Sequence, residues 1–456
     1  MRCLVPLVLL TTLLQACQTT GEGEGRYVDP LVRAGVLDEE EVSKEPEPET
    51  VSPGERNLAG RDVETLSNPE SYPIEDLRPG ERPALQTDEA GLWMRLDRVE
   101  ERIKTSGLLL QDPELTAYVR EVACRVAGDF CDDVRVYVIS HPSFNASMSP
   151  NGTMLIFTGA LLRFRSEAEL AAVIGHELGH YLRRHSLQQM RDVIDKTNFL
   201  SFFSVAVSAG IGAAAAAGGP SIYYPGQAVV NFAELVVIGE IFAFSRNHER
   251  EADGYGLLLM SQAGYEPRAF ADVWSRLLKE FEADEDFKKR SSFFATHPSS
   301  EERQAVLESL AEKVAARSDG NAVVGREAYM ERILPRRGAF LRDLLDERGF
   351  AQMEVLLDLL LESEDPNPAE LHYFKGEIHR LRDEEGDQEK ALQSYQAAAE
   401  AAGQAPPDLH RSRGILLNRK GEKAQAATAL RKYLELSPEA GDRLFIEDLI
   451  RRLETS

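Results

Sequence analysis

The sequence is poor in positive charge, in cysteine and in aromatic residues. Lys and Arg number 52 against 76 Asp and Glu, which leaves a formal charge of −24. Half of that excess, −12, falls in residues 18–90. No segment is basic enough to neutralise phosphates, so nucleic acid is excluded as a partner. Four cysteines cannot build a disulfide scaffold in a chain of 456 residues, and they are too scattered for a thiolate-rich metal site. Long apolar runs are also scarce; outside the N-terminus the main one is 198–218, followed by 228–244 with Glu234 and Glu240 embedded. The 43% of apolar residues is still enough for two or three domains with a sizeable core.

What the chain does have begins at its first residues. Met1-Arg2, an apolar run to Leu14 and then Leu14-Gln15-Ala16-Cys17 resemble a bacterial lipoprotein signal. That resemblance implies a signal peptide over 1–16, lipidation at Cys17 and a periplasmic chain held to a membrane by its lipid. Gln18 after the cysteine points to the outer membrane. An oxidising compartment then permits a disulfide between Cys124 and Cys131, worth roughly 2–3 kcal/mol by loop closure; a metal pair is the competing use. Residues 17–88, with Glu45-Pro46-Glu47-Pro48-Glu49 and scattered prolines, have the composition of an acidic tether.

Beyond the tether the pattern is α+β and mostly helical. Apolar residues at spacings of 3 and 4 predict helices over 89–103 and 113–126, and a third over 167–184. Alternation predicts a strand over 134–139, and a second, 154–157, follows the Pro150-Asn151-Gly152 turn. The run 198–218 is long enough to span a bilayer, or it forms a small-residue helical hairpin. From about 336 the chain reads as all-α: Ala391 and Tyr395 are echoed 35 residues later by Ala426 and Leu430, with Gly376 and Gly414 opening the two units. This looks like tetratricopeptide repeats over 336–456, with an ordinary helical bundle as the alternative.

The chemistry centres on His176-Glu177-Leu178-Gly179-His180. Four residues apart on a helix, both imidazoles project from one face and can bind one zinc ion, and Glu177 lies close enough to act on a water there. Catalytic zinc needs a third protein ligand and an open position. His185, five residues on, is off the shared face. The run Arg246 to Asp253 offers Glu249 and Asp253 on one face, one as ligand and the other as acceptor from a ligating histidine, with His248 and Glu251 as competitors.

With Glu249 to Asp253 in a Glu-x-x-Ala-Asp arrangement, and Thr296-His297-Pro298 with Arg303 beyond, residues 89–318 resemble the HtpX and CAAX-prenyl-protease group of zinc metallopeptidases. The C-terminal repeats are most similar to its BepA-like periplasmic members. The resemblance implies a zincin-type (gluzincin) domain with a small sheet. It also implies one Zn²⁺ per chain held by His176, His180 and Glu249, with Glu177 as catalytic base and Asp253 behind the ligands. It further implies that His297 plugs the site or stabilises the oxyanion, and that Asn145, Gly152, Met154 and Ile156 mark a strand edge where an extended substrate adds. The implied activity is endopeptidase cleavage of unfolded or misassembled envelope proteins, with the repeats recruiting clients or outer-membrane assembly machinery. A chaperone or adaptor with a plugged zinc site is the alternative.

Overall fold

The computed structural model describes residues 35–36, 75–194, 244–283, 293, 296–297, 301–317 and 320–455. The expected signal peptide, Cys17, most of the expected tether and the run 198–218 lie outside the described residues. Among the described residues no helix is long and apolar enough to cross a membrane.

Helix α1 (Asp88–Lys104) starts where Thr87 Oγ1 accepts from the Ala90 N–H, with Asp88 and Glu89 in its first turn and Arg102 and Lys104 in its last. Its buried stripe is Leu92, Trp93, Leu96 and Ile103. Helix α2 (Pro113–Ala127) is capped by Asp112 and begins on Pro113; it stops at Gly128, whose φ is +56°. Cys124, in the last turn of α2, and Cys131, just beyond it, form the expected disulfide.

Three strands follow: β1 (Arg135–Ile139), β2 (Ala146–Met148) and β3 (Thr153–Phe157), in the order β1-β3-β2. β3 pairs parallel with β1 and antiparallel with β2, and all five of its residues are buried. β3 is thus the central strand, so Met154 and Ile156 do not lie on an edge; β1 and β2 are the outer strands, and β2, with three residues, is too short to show as an alternating pattern. The turn before β3 is pinned by Arg135, whose Nε and Nη2 each lie 2.6 Å from the Glu100 carboxylate. Burial alone would raise the Glu100 pKa, but Arg135 and Tyr137 overcome it and hold it at about 2.

Helices α3 (Thr158–Arg163) and α4 (Glu167–Leu182) lead to Arg184, a left-handed residue (φ 54°) at which the chain turns into α5 (His185–Ile194). After the next described break come α6 (Arg246–Gln262), α7 (Arg268–Glu282) and α8 (Glu301–Ala315). α4 is buried along its whole length and packs against α6 through a seam of small residues. A Cβ on Gly175 would sit 2.7 Å from the Gly256 carbonyl oxygen, and one on Gly179 would sit 2.7 Å from that of Ala252. Side chains there would force the backbones apart.

The helical region begins earlier than the expected 336. α9 (Arg326–Asp346) and α10 (Phe350–Leu361) precede two hairpins, α11 (Pro368–Arg382) with α12 (Asp387–Glu400) and α13 (Asp408–Arg419) with α14 (Lys423–Leu436), and a last helix α15 (Arg443–Thr455). In the hairpins Gly376 faces Tyr395 and Gly414 faces Leu430, with Ala391 and Ala426 fully buried, so the echoed positions do the same packing job twice. Nor is the joint before α9 a linker. Ala168 N–H donates to Val324 O, Tyr329 is fully buried with its hydroxyl donating to Leu161 O, and one core runs from α2 through α4 and α7 into α9–α13. At the other end, residues 75–87 lie against the sheet and α4 side: Leu77 is buried, and its N–H donates to Leu182 O.

Candidate metal centre

The glycine seam decides where the functional side chains meet. Because α4 and α6 touch backbone to backbone, His176 and His180 on one helix face Glu249 and Asp253 on the other with no side chain between them. Nitrogen and oxygen atoms of His176, His180, Glu249 and His297 converge within 4.8 Å of one another, all four residues buried. His176 Nε2 lies 3.2 Å from His180 Nε2 and 3.2 Å from His297 Nδ1. Glu249 Oε1 lies 3.4 Å from His180 Nε2 and 3.0 Å from His297 Nδ1.

These separations test whether a zinc ion fits. Four donors at 2.0–2.1 Å from a tetrahedral centre are about 3.3 Å apart, and the observed contacts bracket that spacing. Three imidazoles and one carboxylate are also the donors zinc takes. Glu177 Oε1 is buried without a hydrogen-bond partner among the described residues and lies 3.7 Å from His297 Nε2, so its carboxylate points at the cluster and is not used up by the fold. The residues fit the metal.

Outside the donors, Asp253 Oδ1 lies 2.9 Å from His176 Nδ1, the nitrogen that faces away from the cluster. Arg303 grips both carboxylates: Nη1 is 2.7 Å from Glu249 Oε2, and Nε and Nη2 each donate to Asp253 at 2.8 Å. Burial works against both anions, but His297 and Arg303 hold Glu249 well below the usual carboxylate range, and Arg303 holds Asp253 below it. Burial raises Glu177, and it drives His180 well below the usual imidazole value, which keeps it in the neutral form a ligand needs. His297 goes the other way: burial opposes its charge, but Glu249 and Glu177 outweigh that and raise its pKa.

Of the residues expected at the site, the structure brings together His176, Glu177, His180, Glu249, Asp253 and His297. It leaves His248 and Glu251 outside the cluster, which resolves the choice that spacing alone leaves open. β2 approaches the cluster at Met148, whose backbone opposes the upward shift that burial gives Glu177; Ala146 opens that strand and Asn145 directly precedes it. Spacing gives no sign of the aromatic wall: Phe244 stacks on His180 with ring centroids 3.8 Å apart, and Phe293 stacks on both His297 and Trp274. Arg303 stands in the motif run, but nothing in its spacing announces that it clamps two carboxylates.

Residues 109–311 match the sequence profile of Peptidase family M48. The chain is 35% identical over 196 residues to the mitochondrial metalloendopeptidase OMA1 of Schizosaccharomyces pombe, covering 42% of this chain and 52% of that protein. It is 32% identical over 159 residues to the metalloprotease LoiP of Escherichia coli, covering 35% and 55%. It is 27% identical over 198 residues to a putative beta-barrel assembly-enhancing protease of Vibrio cholerae, covering 43% and 39%. The chain thus spans about half or less of the length of these curated relatives. The segment that carries the converging histidines and carboxylates is therefore similar to Peptidase family M48 and to metallopeptidases of bacteria and mitochondria.

Proposed function

We propose that the chain is a zinc metalloendopeptidase of the bacterial envelope that cleaves unfolded or misassembled proteins. The observation that carries this is the convergence of His176, His180 and Glu249 beside a buried, unpartnered Glu177 oxygen. Zinc held by those three residues supplies Lewis acidity, polarising a peptide carbonyl and making water acidic near neutral pH. Glu177 takes the proton from the attacking water and delivers it to the leaving amine; burial shifts its pKa upward, toward the range where it can do both. Arg303 keeps Glu249 and Asp253 ionised, and Asp253 orients His176.

The substrate side is β2. Phe157 N–H donates to Asn145 O and Ser149 N–H to Thr153 O, so the backbone groups of residues 145 and 149 turn toward β3 and those of Ala146 and Met148 turn away. An extended peptide pairing along that edge lies beside Glu177 and is read mainly through its backbone, which suits unfolded clients. His297 stands where a fourth donor would, so substrate entry requires it to move aside. The lipid anchor at Cys17, the outer-membrane address and recruitment of assembly machinery by tetratricopeptide-like hairpins belong to the same proposal. They are supported by the N-terminal pattern, the doubled glycine packing and the Vibrio cholerae relative's name.

The test is Glu177→Gln in the purified chain. Casein cleavage should fall by at least 10³-fold with zinc still bound; undiminished cleavage sinks the mechanism. A second reading, an adaptor whose site is plugged by His297, predicts that a strain carrying Glu177→Gln keeps normal envelope assembly.

A further inference from the structure

His176 and His180 are held from behind in different ways. His176 meets a carboxylate directly, at Asp253. Among the described residues no carboxylate stands behind His180: its outer nitrogen, Nδ1, lies 2.9 Å from Nδ1 of His185. The far nitrogen of His185, Nε2, lies 3.1 Å from Glu251 Oε2, and Glu251 in turn accepts from Arg183 Nε at 2.8 Å. His185 is fully buried and its ring stacks on His248, 4.4 Å between centroids and 16° between planes. The left-handed turn at Arg184 is what brings residue 185 back beside residue 180.

Only one set of protons satisfies this chain. His180 presents Nε2 to the cluster, so its Nδ1 carries hydrogen and donates. His185 Nδ1 must then accept, which leaves the hydrogen on its Nε2, aimed at Glu251. From this geometry we infer that His185 and Glu251 are positioning residues for the metal, a relay through which a carboxylate two groups away fixes the tautomer and ring angle of His180. The inference rests on reading the four-residue cluster as a zinc site, and it assigns His185 a part in metal binding where a helix-end histidine would have only a packing role. Partners of this kind are worth 10–100-fold in metal affinity.

The test uses the full chain. His185→Phe keeps the ring and its stacking but removes the acceptor; His185→Asn places an amide oxygen near the position of Nδ1. Zinc affinity is measured by competition with a chromogenic chelator, alongside the melting temperature of the metal-free protein. The expected result is a zinc Kd raised 10–100-fold in His185→Phe and partly recovered in His185→Asn, which restores the acceptor but not the link to Glu251, with similar metal-free melting temperatures. An unchanged Kd in His185→Phe, or an equal loss in both variants, overturns the relay. Should His185→Phe not fold, a long-range ¹H–¹⁵N spectrum of the zinc-loaded wild type decides: His185 bare at Nδ1 and protonated at Nε2 supports the relay, and the reverse overturns it. A wild-type chain that takes up no zinc overturns the metal site itself, and so is distinguishable from failure of the relay alone.

Discussion

At the scale of single residues, His297 is the side chain whose surroundings pull hardest in two directions. Its Nδ1 lies 3.2 Å from His176 Nε2 and 3.0 Å from Glu249 Oε1, while its Nε2 faces Glu177 at 3.7 Å. Sitting among the donors, it occupies the place that a substrate carbonyl would need under the proposed function; stacked on Phe293, it is held there by an apolar neighbour as well. If occupation of that place limits turnover, His297→Ala should raise kcat for a short unstructured peptide several-fold and leave zinc bound. If His297 instead stabilises the developing oxyanion, kcat should drop by 10²-fold or more, the usual cost of losing such a donor. Steady-state kinetics on the purified variant separates the two.

At the scale of elements, the site is a consequence of two helices approaching more closely than side chains normally allow. Gly175, Gly179 and Gly256 make that approach possible, and the metal donors inherit their spacing from it. Gly179→Ala adds a methyl 2.7 Å from the Ala252 carbonyl oxygen, a backbone atom that can move only with α6. The expected cost is about 1–3 kcal/mol of stability, and zinc should bind more weakly because Glu249 and Asp253 move with the helix. Gly91→Ala on α1 is the control: among the described residues nothing lies within 4 Å of that Cβ, and removing a helical glycine should be neutral or stabilise by up to about 1 kcal/mol. Thermal melts and chelator competition on both variants check the contrast. The helices and the His-Glu-x-x-His face are legible in the sequence because each is written in local spacing. The placement of β3 at the centre of the sheet is not: a four-residue apolar run looks the same at an edge or a centre, and β2 carries too few residues to show an alternation. Likewise, spacing places Glu249, His248 and Glu251 on adjoining faces, and only the packing of α6 on α4 selects among them.

At the scale of the molecule, the partition into peptidase and repeats is less sharp than composition suggests. Sequence shows where glycine and alanine recur but not which helices share a core, because that depends on contacts between distant segments. The structure fuses the two: Arg163 and Glu280, each 2% exposed, pair at 2.7 Å inside the portion that matches the M48 profile, and Gln352 of α10 donates to the same Glu280 carboxylate. Tyr329, Ile333, Phe340, Leu341 and Leu357 sit in the core that also holds Leu170, Val173 and Phe270. The outermost helices differ, since Leu417, Ala426, Leu430, Tyr433, Ile446 and Ile450 form a separate cluster. Two truncations should therefore behave differently. Ending the chain at residue 407 removes that outer cluster and two leucines of the main core, Leu409 and Leu416, and should lower the melting temperature while leaving a soluble protein that binds zinc. Ending it at residue 320 strips α9 and α10 from the peptidase, opens the main core and leaves the Glu280 carboxylate without Gln352, so the product should aggregate or fail to bind zinc. Equal solubility and zinc content in both products, measured by gel filtration and metal analysis, would show that the peptidase portion folds without the helices that cover it.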